Sequence, residues 1–182
     1  MLKIKKIINN ILSKFDYQIT KKDQINRIVE LDNENTSLLD CSLKYSMTTK
    51  LRMWSLLRSI EYVVDKEIDG DFVECGVWQG GNLILYKKLC QKFNLDKKIY
   101  GFDTFSGMSL PTNTDSKYND ELARKIFFEK KKNKVGWCEA NIDIVKNNII
   151  NECSNLDNIK LIEGKVEETL RISKNLPEKI SV

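Results

Sequence analysis

The sequence predicts an α/β fold in which helices wrap a parallel sheet, and three observations predict it. First, Asp71-Phe-Val-Glu-Cys-Gly-Val-Trp-Gln-Gly-Gly81 reads as a short apolar strand, a glycine turn and the start of an amphipathic helix over residues 82–92. A strand that turns through glycines into a helix N-terminus is how such folds build a ligand cradle. Second, Ile99-Tyr-Gly-Phe-Asp103 is a second strand ending on a carboxylate, and Ile159 to Glu163 is a third, followed by the turn Gly164-Lys165-Val166. Third, Asn-Leu followed by Asp or Pro introduces a strand at Asn94, at Asn155 and at Asn175, so Ile180-Ser-Val182 reads as the start of a fourth strand. Strands alternating with helical stretches make a doubly wound, Rossmann-like sheet. Three complete strands would leave its edge and helix faces uncovered, so the expectation is that the natural chain continues past Val182.

Composition sets the bounds. With 182 residues, 41% hydrophobic and 31% charged, the chain is an ordinary globular domain with room for an appended segment. The net charge of +4 is uneven. Residues 1–30 hold seven Lys or Arg and three Asp or Glu, leaving 23 of each sign in the remainder. A neutral body argues against a nucleic-acid groove. Cysteines stand at 41, 75, 90, 138 and 153, never as CxxC, which is neither a disulfide framework nor a zinc site and points to a reducing, cytoplasmic compartment. There is no histidine, which excludes Ser-His or Cys-His nucleophiles and a histidine base. No apolar run reaches the ~18 residues of a membrane span.

Taken in order, Leu2, Ile4, Ile7, Ile8, Ile11, Leu12 and Phe15 share one helical face while Lys3, Lys6 and Lys14 lie mostly elsewhere. This basic amphipathic helix would pack on the body or on a second copy; resting on an anionic membrane surface through residues 2–15 is the alternative. Residues 16–46 read as a loosely ordered linker, dividing the chain into a helix-and-linker segment, 1–44, and a ligand-binding domain, 45–182, cut within its fourth strand. A firm helix follows on Leu51, Trp54, Leu57, Ile60 and Val64, capped by Thr48 or Thr49, with Met53 and Trp54 as interior side chains. Residues 106–120 read as an active-site loop and 120–129 as a helix with Leu122 and Ile126 inward. Lys130-Lys-Lys-Asn-Lys134 reads as a solvated helix end. Ile142, Val145 and Ile149 mark a further helix, and a short one follows Gly164.

The chemistry turns on Glu74, two residues before the first glycine. A fixed carboxylate there would repel a dinucleotide's pyrophosphate and attract an ammonium or sulfonium group. Gly76, Gly80 and Gly81 also miss the GxGxxG spacing of dinucleotide folds. Asp103, ending the second strand, suits a hydrogen-bonded pair of ribose hydroxyls. Together these point to S-adenosyl-L-methionine as cofactor.

From Tyr45 onward the chain resembles the macrocin O-methyltransferase family. The resemblance is carried by Tyr-Ser-Met-Thr-Thr at 45–49, Gly-Asp-Phe-Val-Glu-Cys-Gly-Val-Trp-Gln-Gly-Gly at 70–81, Gly-Phe-Asp-Thr-Phe-Ser-Gly-Met at 101–108 and Ile-Lys-Leu-Ile-Glu-Gly-Lys-Val-Glu-Glu-Thr-Leu at 159–170; residues 1–44 fall outside it. It implies a class I methyltransferase acting on a hydroxyl of a small sugar-containing acceptor, in a secondary metabolite or a surface glycan. It would place Glu74 and Gly76 by the methionine moiety, with Gly80 and Gly81 completing the turn. Asp103 would lie by the ribose, Lys165 and Val166 with Gly164 by the adenine, and Met47 and Thr48 in a lid. It also implies a divalent metal, magnesium, held by aspartates beyond Val182, so no metal ligand is expected within these residues. No base is assigned; Asp115 and Glu139 are carboxylates without a decisive argument. A homo-oligomer is a candidate assembly. Two other readings stand: an NAD-type oxidoreductase of the same fold class, which Glu74 opposes, and a non-catalytic remnant or interaction module.

Overall fold

The computed structural model describes residues 2–15, 28–116, 122–132 and 137–182. It falls into two compact units, Met1–Asp32 and Asn33–Val182. In the first, helix α1 (Leu2–Leu12) runs into a 3-10 turn, Ser13–Phe15. Ile7, Ile8, Ile11 and Phe15 of this stretch are exposed. The expected linker residues 16–27 lie outside the described residues.

The second unit is built on a parallel sheet of β1 (Phe72–Cys75), β2 (Ile99–Asp103) and β3 (Ile159–Glu163), in that order across the sheet. Phe72 pairs with Ile99 and Ile99 with Ile159, so all three strands end at the same edge. On the free side of β1, Ile180 bridges Asp71 in parallel. The Asp71 and Val73 amides donate to the Lys179 and Val182 carbonyls, both at 2.9 Å. The chain therefore leaves β1 toward β2 on one side and returns beside β1 on the other. This reversal of strand order opens a crevice at the carboxyl ends of the strands.

Helix α4 (Gly81–Phe93) lies at the centre of one face. Residues Leu83 to Lys87, Leu89 and Cys90 are all buried, so the helix expected to be amphipathic is enclosed nearly all round. The reason is a helix the sequence reading assigned to linker: α2 (Asn33–Leu43), which packs on α4 with Leu39 fully buried. Burial of one leucine favours the fold by roughly 2 kcal/mol. Periodicity in α2 is weak, and its position is fixed by long-range bonds. Glu152 of α6 (Ile142–Cys153) accepts from the Cys41 thiol at 2.7 Å, from the Tyr45 hydroxyl at 3.1 Å and from Lys44 Nζ at 3.4 Å.

Helix α3 (Lys50–Asp65) starts at Thr49, whose hydroxyl accepts from the Arg52 amide, as the capping rule requires. Its buried side chains are Met53, Leu57, Ile60 and Val63, while Leu51 is 60% exposed. The inward stripe is thus rotated by about one residue from the expected one, and Trp54 is half-buried. Helix α5 (Ala123–Lys132) buries Ile126 but leaves Leu122 exposed ahead of its first turn. Part of the lysine run, 133–134, and residues 117–121 of the expected loop lie outside the described residues. The opposite sheet face buries Tyr100, Phe102 and Ile162 under Val166 and Leu176; Val166 belongs to the single turn α7 (Val166–Thr169).

Candidate functional site

The carboxyl ends of the strands open into a cavity of about 690 Å³, within the range of about 300–1,000 Å³ usual for small-molecule sites. Gly76, Phe102 and Asp103 form its floor; Trp78, Trp137 and Met47 stand around it; Gly164, Lys165 and Val166 border it at the end of β3. The described part of the expected loop supplies Met108, Pro111 and Asp115. The cavity brings together Met47, Gly76, Asp103, Gly164, Lys165 and Val166 from the sequence reading, and it is not lined by Glu74, Thr48, Gly80 or Gly81.

Gly76 behaves as a cradle residue. Its φ of +90° lies where side chains are strained, and a Cβ built on it meets nothing within 4 Å. A ligand can therefore approach that backbone closely. Gly81 serves a different purpose: an added Cβ would come within 2.6 Å of the Ser42 carbonyl oxygen and of Ser46 Cβ, and the Gly81 amide donates to the Tyr45 carbonyl at 3.0 Å. It is where the turn after α2 packs against α4. Gly80, at φ +94°, caps α4 with its Cα facing Val145.

Glu74 does not line the cavity, for a reason written into the strand. Side chains alternate across a sheet, and Phe72 faces α4, where its ring stacks on Tyr86 with centroids 5.0 Å apart. Glu74 shares that face. One carboxylate oxygen accepts from Asn82 Nδ2 at 2.8 Å and the other from the Tyr86 hydroxyl at 3.4 Å. Burial pushes its pKa up, only partly offset by these two donors. Cys75, on the other face, lines the cavity in its place. Among the described residues, the carboxylates Asp103, Asp115 and Glu167 and the ammonium of Lys165 border the cavity.

Asp103 does border the cavity, with its oxygens engaged. Oδ2 accepts from the amides of Val77 at 2.7 Å and Trp78 at 3.0 Å. Oδ1 accepts from the Phe105 amide at 2.9 Å. Met47 is exposed, its sulfur 3.9 Å from the Cys138 thiol, and Thr48 is half-buried with its amide donating to Ser46 Oγ. Asp115 accepts from the Thr112 amide at 2.7 Å; Glu139 is exposed and does not line the cavity.

Trp78, Met108, Trp137, Cys75 and Cys138 border the cavity and were missed as site residues. The signal for Trp78 was its place inside the glycine turn; Trp137 and Cys138 sit in a stretch with no periodicity to locate them. Among the described residues no group of three or more His, Cys, Asp or Glu could hold a metal ion. No helix among them is long and apolar enough to cross a membrane.

The family model for macrocin-O-methyltransferase (TylF) matches residues 3–180. The match reaches almost to the N-terminus, so residues 3–44, expected to fall outside the resemblance, lie within it. Among solved structures, the chain is similar to the O-methyltransferase NovP, at 24% identity and a TM-score of 0.57, over 71% of this chain and 51% of that one. It thus spans about half of the NovP chain. CalS11, a calicheamicin methyltransferase, aligns at 14% identity with a TM-score of 0.44, over 88% of this chain and 69% of that one. No curated protein sequence matches. The NovP likeness shows the fold, a Rossmann-like sheet.

Proposed function

Because the chain belongs to the macrocin-O-methyltransferase family, we propose that its cavity is the S-adenosyl-L-methionine site of an O-methyltransferase acting on a hydroxyl of a small sugar-containing acceptor. The observation that carries the reading is the cavity itself: an unobstructed Gly76 at the strand-order reversal, with three carboxylates and one ammonium around it among the described residues. Such a lining favours a ligand of positive charge, and its volume admits a nucleoside with an amino-acid tail. What S-adenosyl-L-methionine supplies when bound is a methyl group on a cationic sulfur, open to in-line attack by an alcohol oxygen.

The chain's own residues bind and orient. Gly76 lets the backbone come against the ligand. Val166 presents an apolar surface beside Gly164 at the end of β3, suited to the adenine, with Lys165 next to it. Trp78 and Trp137 present indole surface to the cavity. Holding the two reactants in line is worth more to such a reaction than any single group. The described residues offer no metal cluster, so no step is assigned to one, and no side chain is assigned as base.

The test is calorimetry of the chain with S-adenosylhomocysteine. Wild type should bind, and Gly76→Val should lose binding because its side chain fills the open space and strains the turn at φ +90°, while its far-UV spectrum is retained. Absence of heat with wild type, or equal binding by the variant, overturns the assignment.

A further inference from the structure

We propose that Asp103 is a positioning residue: it clasps the β1 and β2 loops together and so shapes the cavity, and it does not grip both ribose hydroxyls. This inference rests on the cofactor reading above for its ligand and on the loop geometry for its substance.

A carboxylate offers about four lone-pair positions, two on each oxygen. In Asp103 both positions on Oδ2 are occupied by the Val77 and Trp78 amides, and one on Oδ1 by the Phe105 amide. Thr104 Oγ1 stands 3.5 Å from Oδ1, but it also lies 2.8 Å from the Gly107 carbonyl. The hydroxyl has one proton, and the shorter contact takes it. One acceptor position remains, on one oxygen. A ribose diol bound bidentately needs a free position on each oxygen, and would have to displace an amide from Oδ2.

The bonds that would be lost hold strained backbone. Trp78 and Phe105 both have φ of +48°, a region that costs a bulky L-residue about 1–2 kcal/mol. Such conformations persist where the surroundings over-determine them. Each of these residues donates its amide to Asp103, Trp78 to Oδ2 and Phe105 to Oδ1. One carboxylate therefore pins both left-handed residues, and through them two different loops. Trp78 borders the cavity and Phe105 is 4% exposed, so one loop is held at the ligand and the other is anchored in the interior. The Gly164 amide donates to the Asp103 carbonyl at 2.9 Å, which ties the third strand's turn to the same residue.

Two measurements test this. In the first, amide hydrogen exchange of wild type without ligand should show Val77, Trp78 and Phe105 protected, and Asp103→Asn should lose protection at one side of the clasp at least, since an asparagine has a single carbonyl oxygen. Unprotected amides in wild type, or unchanged protection in Asp103→Asn, overturn the proposal. This arm needs no ligand, and Asp103→Asn counts only if the β1 and β3 amides keep their wild-type protection. Wild-type protection at Val77, Trp78 and Phe105 decides the clasp alone if the variant does not fold. A chain that binds no S-adenosylhomocysteine would overturn only the cofactor reading. In the second, wild type and Asp103→Asn are compared in their binding of S-adenosylhomocysteine and of its 2′,3′-dideoxy analogue. Loss of charge-assisted bonds should weaken binding about tenfold or more, and by the same factor for both ligands. A loss confined to the ligand carrying the diol would make Asp103 a direct ribose ligand and overturn the positioning role.

Discussion

Glu74 illustrates how one side chain's surroundings change its meaning. It was expected to face a cation, yet it sits beneath the turn between Asn82 and Tyr86. Because burial raises its folded-state pKa above the unfolded value, the folded protein holds the proton more tightly than the unfolded chain. The stability it contributes is full below the ordinary glutamate range and is lost as pH rises through the raised value. Glu74→Gln retains an acceptor for Asn82 and removes the charge. The expected outcome is that the denaturation midpoint of wild type declines across that window while the midpoint of Glu74→Gln does not. A parallel decline in both would assign the effect elsewhere. The period-two rule could have located this side chain from the sequence, since Phe72 and Glu74 must share a face. The engagement of Asp103 could not have been read that way, because it depends on turns whose dihedrals the sequence does not spell out.

Among the elements, legibility followed local pattern. The three strands and α3 announce themselves by apolar runs and spacing, and Thr49 by capping chemistry. Helix α2 does not, because polar residues such as Asn35 and the buried Ser42 interrupt its inward face and its order comes from Leu39 burial and from Glu152 on a distant helix. The same remoteness explains Gly81, which looked like part of a ligand turn and instead admits the Tyr45 carbonyl. Gly81→Ala should therefore destabilise by about 1–3 kcal/mol, despite alanine's intrinsic helix advantage of about 1 kcal/mol, because the atoms it strikes are mostly backbone. Urea titration measures it; a stabilised variant would show that the turn after α2 yields freely.

For the molecule as a whole, the cavity draws on segments near residues 47, 76, 103, 137 and 165. It exists only when the Asn33–Val182 unit is assembled, which couples occupancy to global stability through mass action. The absence of histidine removes the usual source of charge change near neutrality. Two of the chain's three tryptophans, Trp78 and Trp137, border the cavity, and the third, Trp54, sits half-buried on α3. The protein accordingly carries an intrinsic optical reporter. Filling the cavity with S-adenosylhomocysteine should change indole emission in a saturable way, and Trp78→Phe together with Trp137→Phe should abolish the response, leaving only the steady background of Trp54.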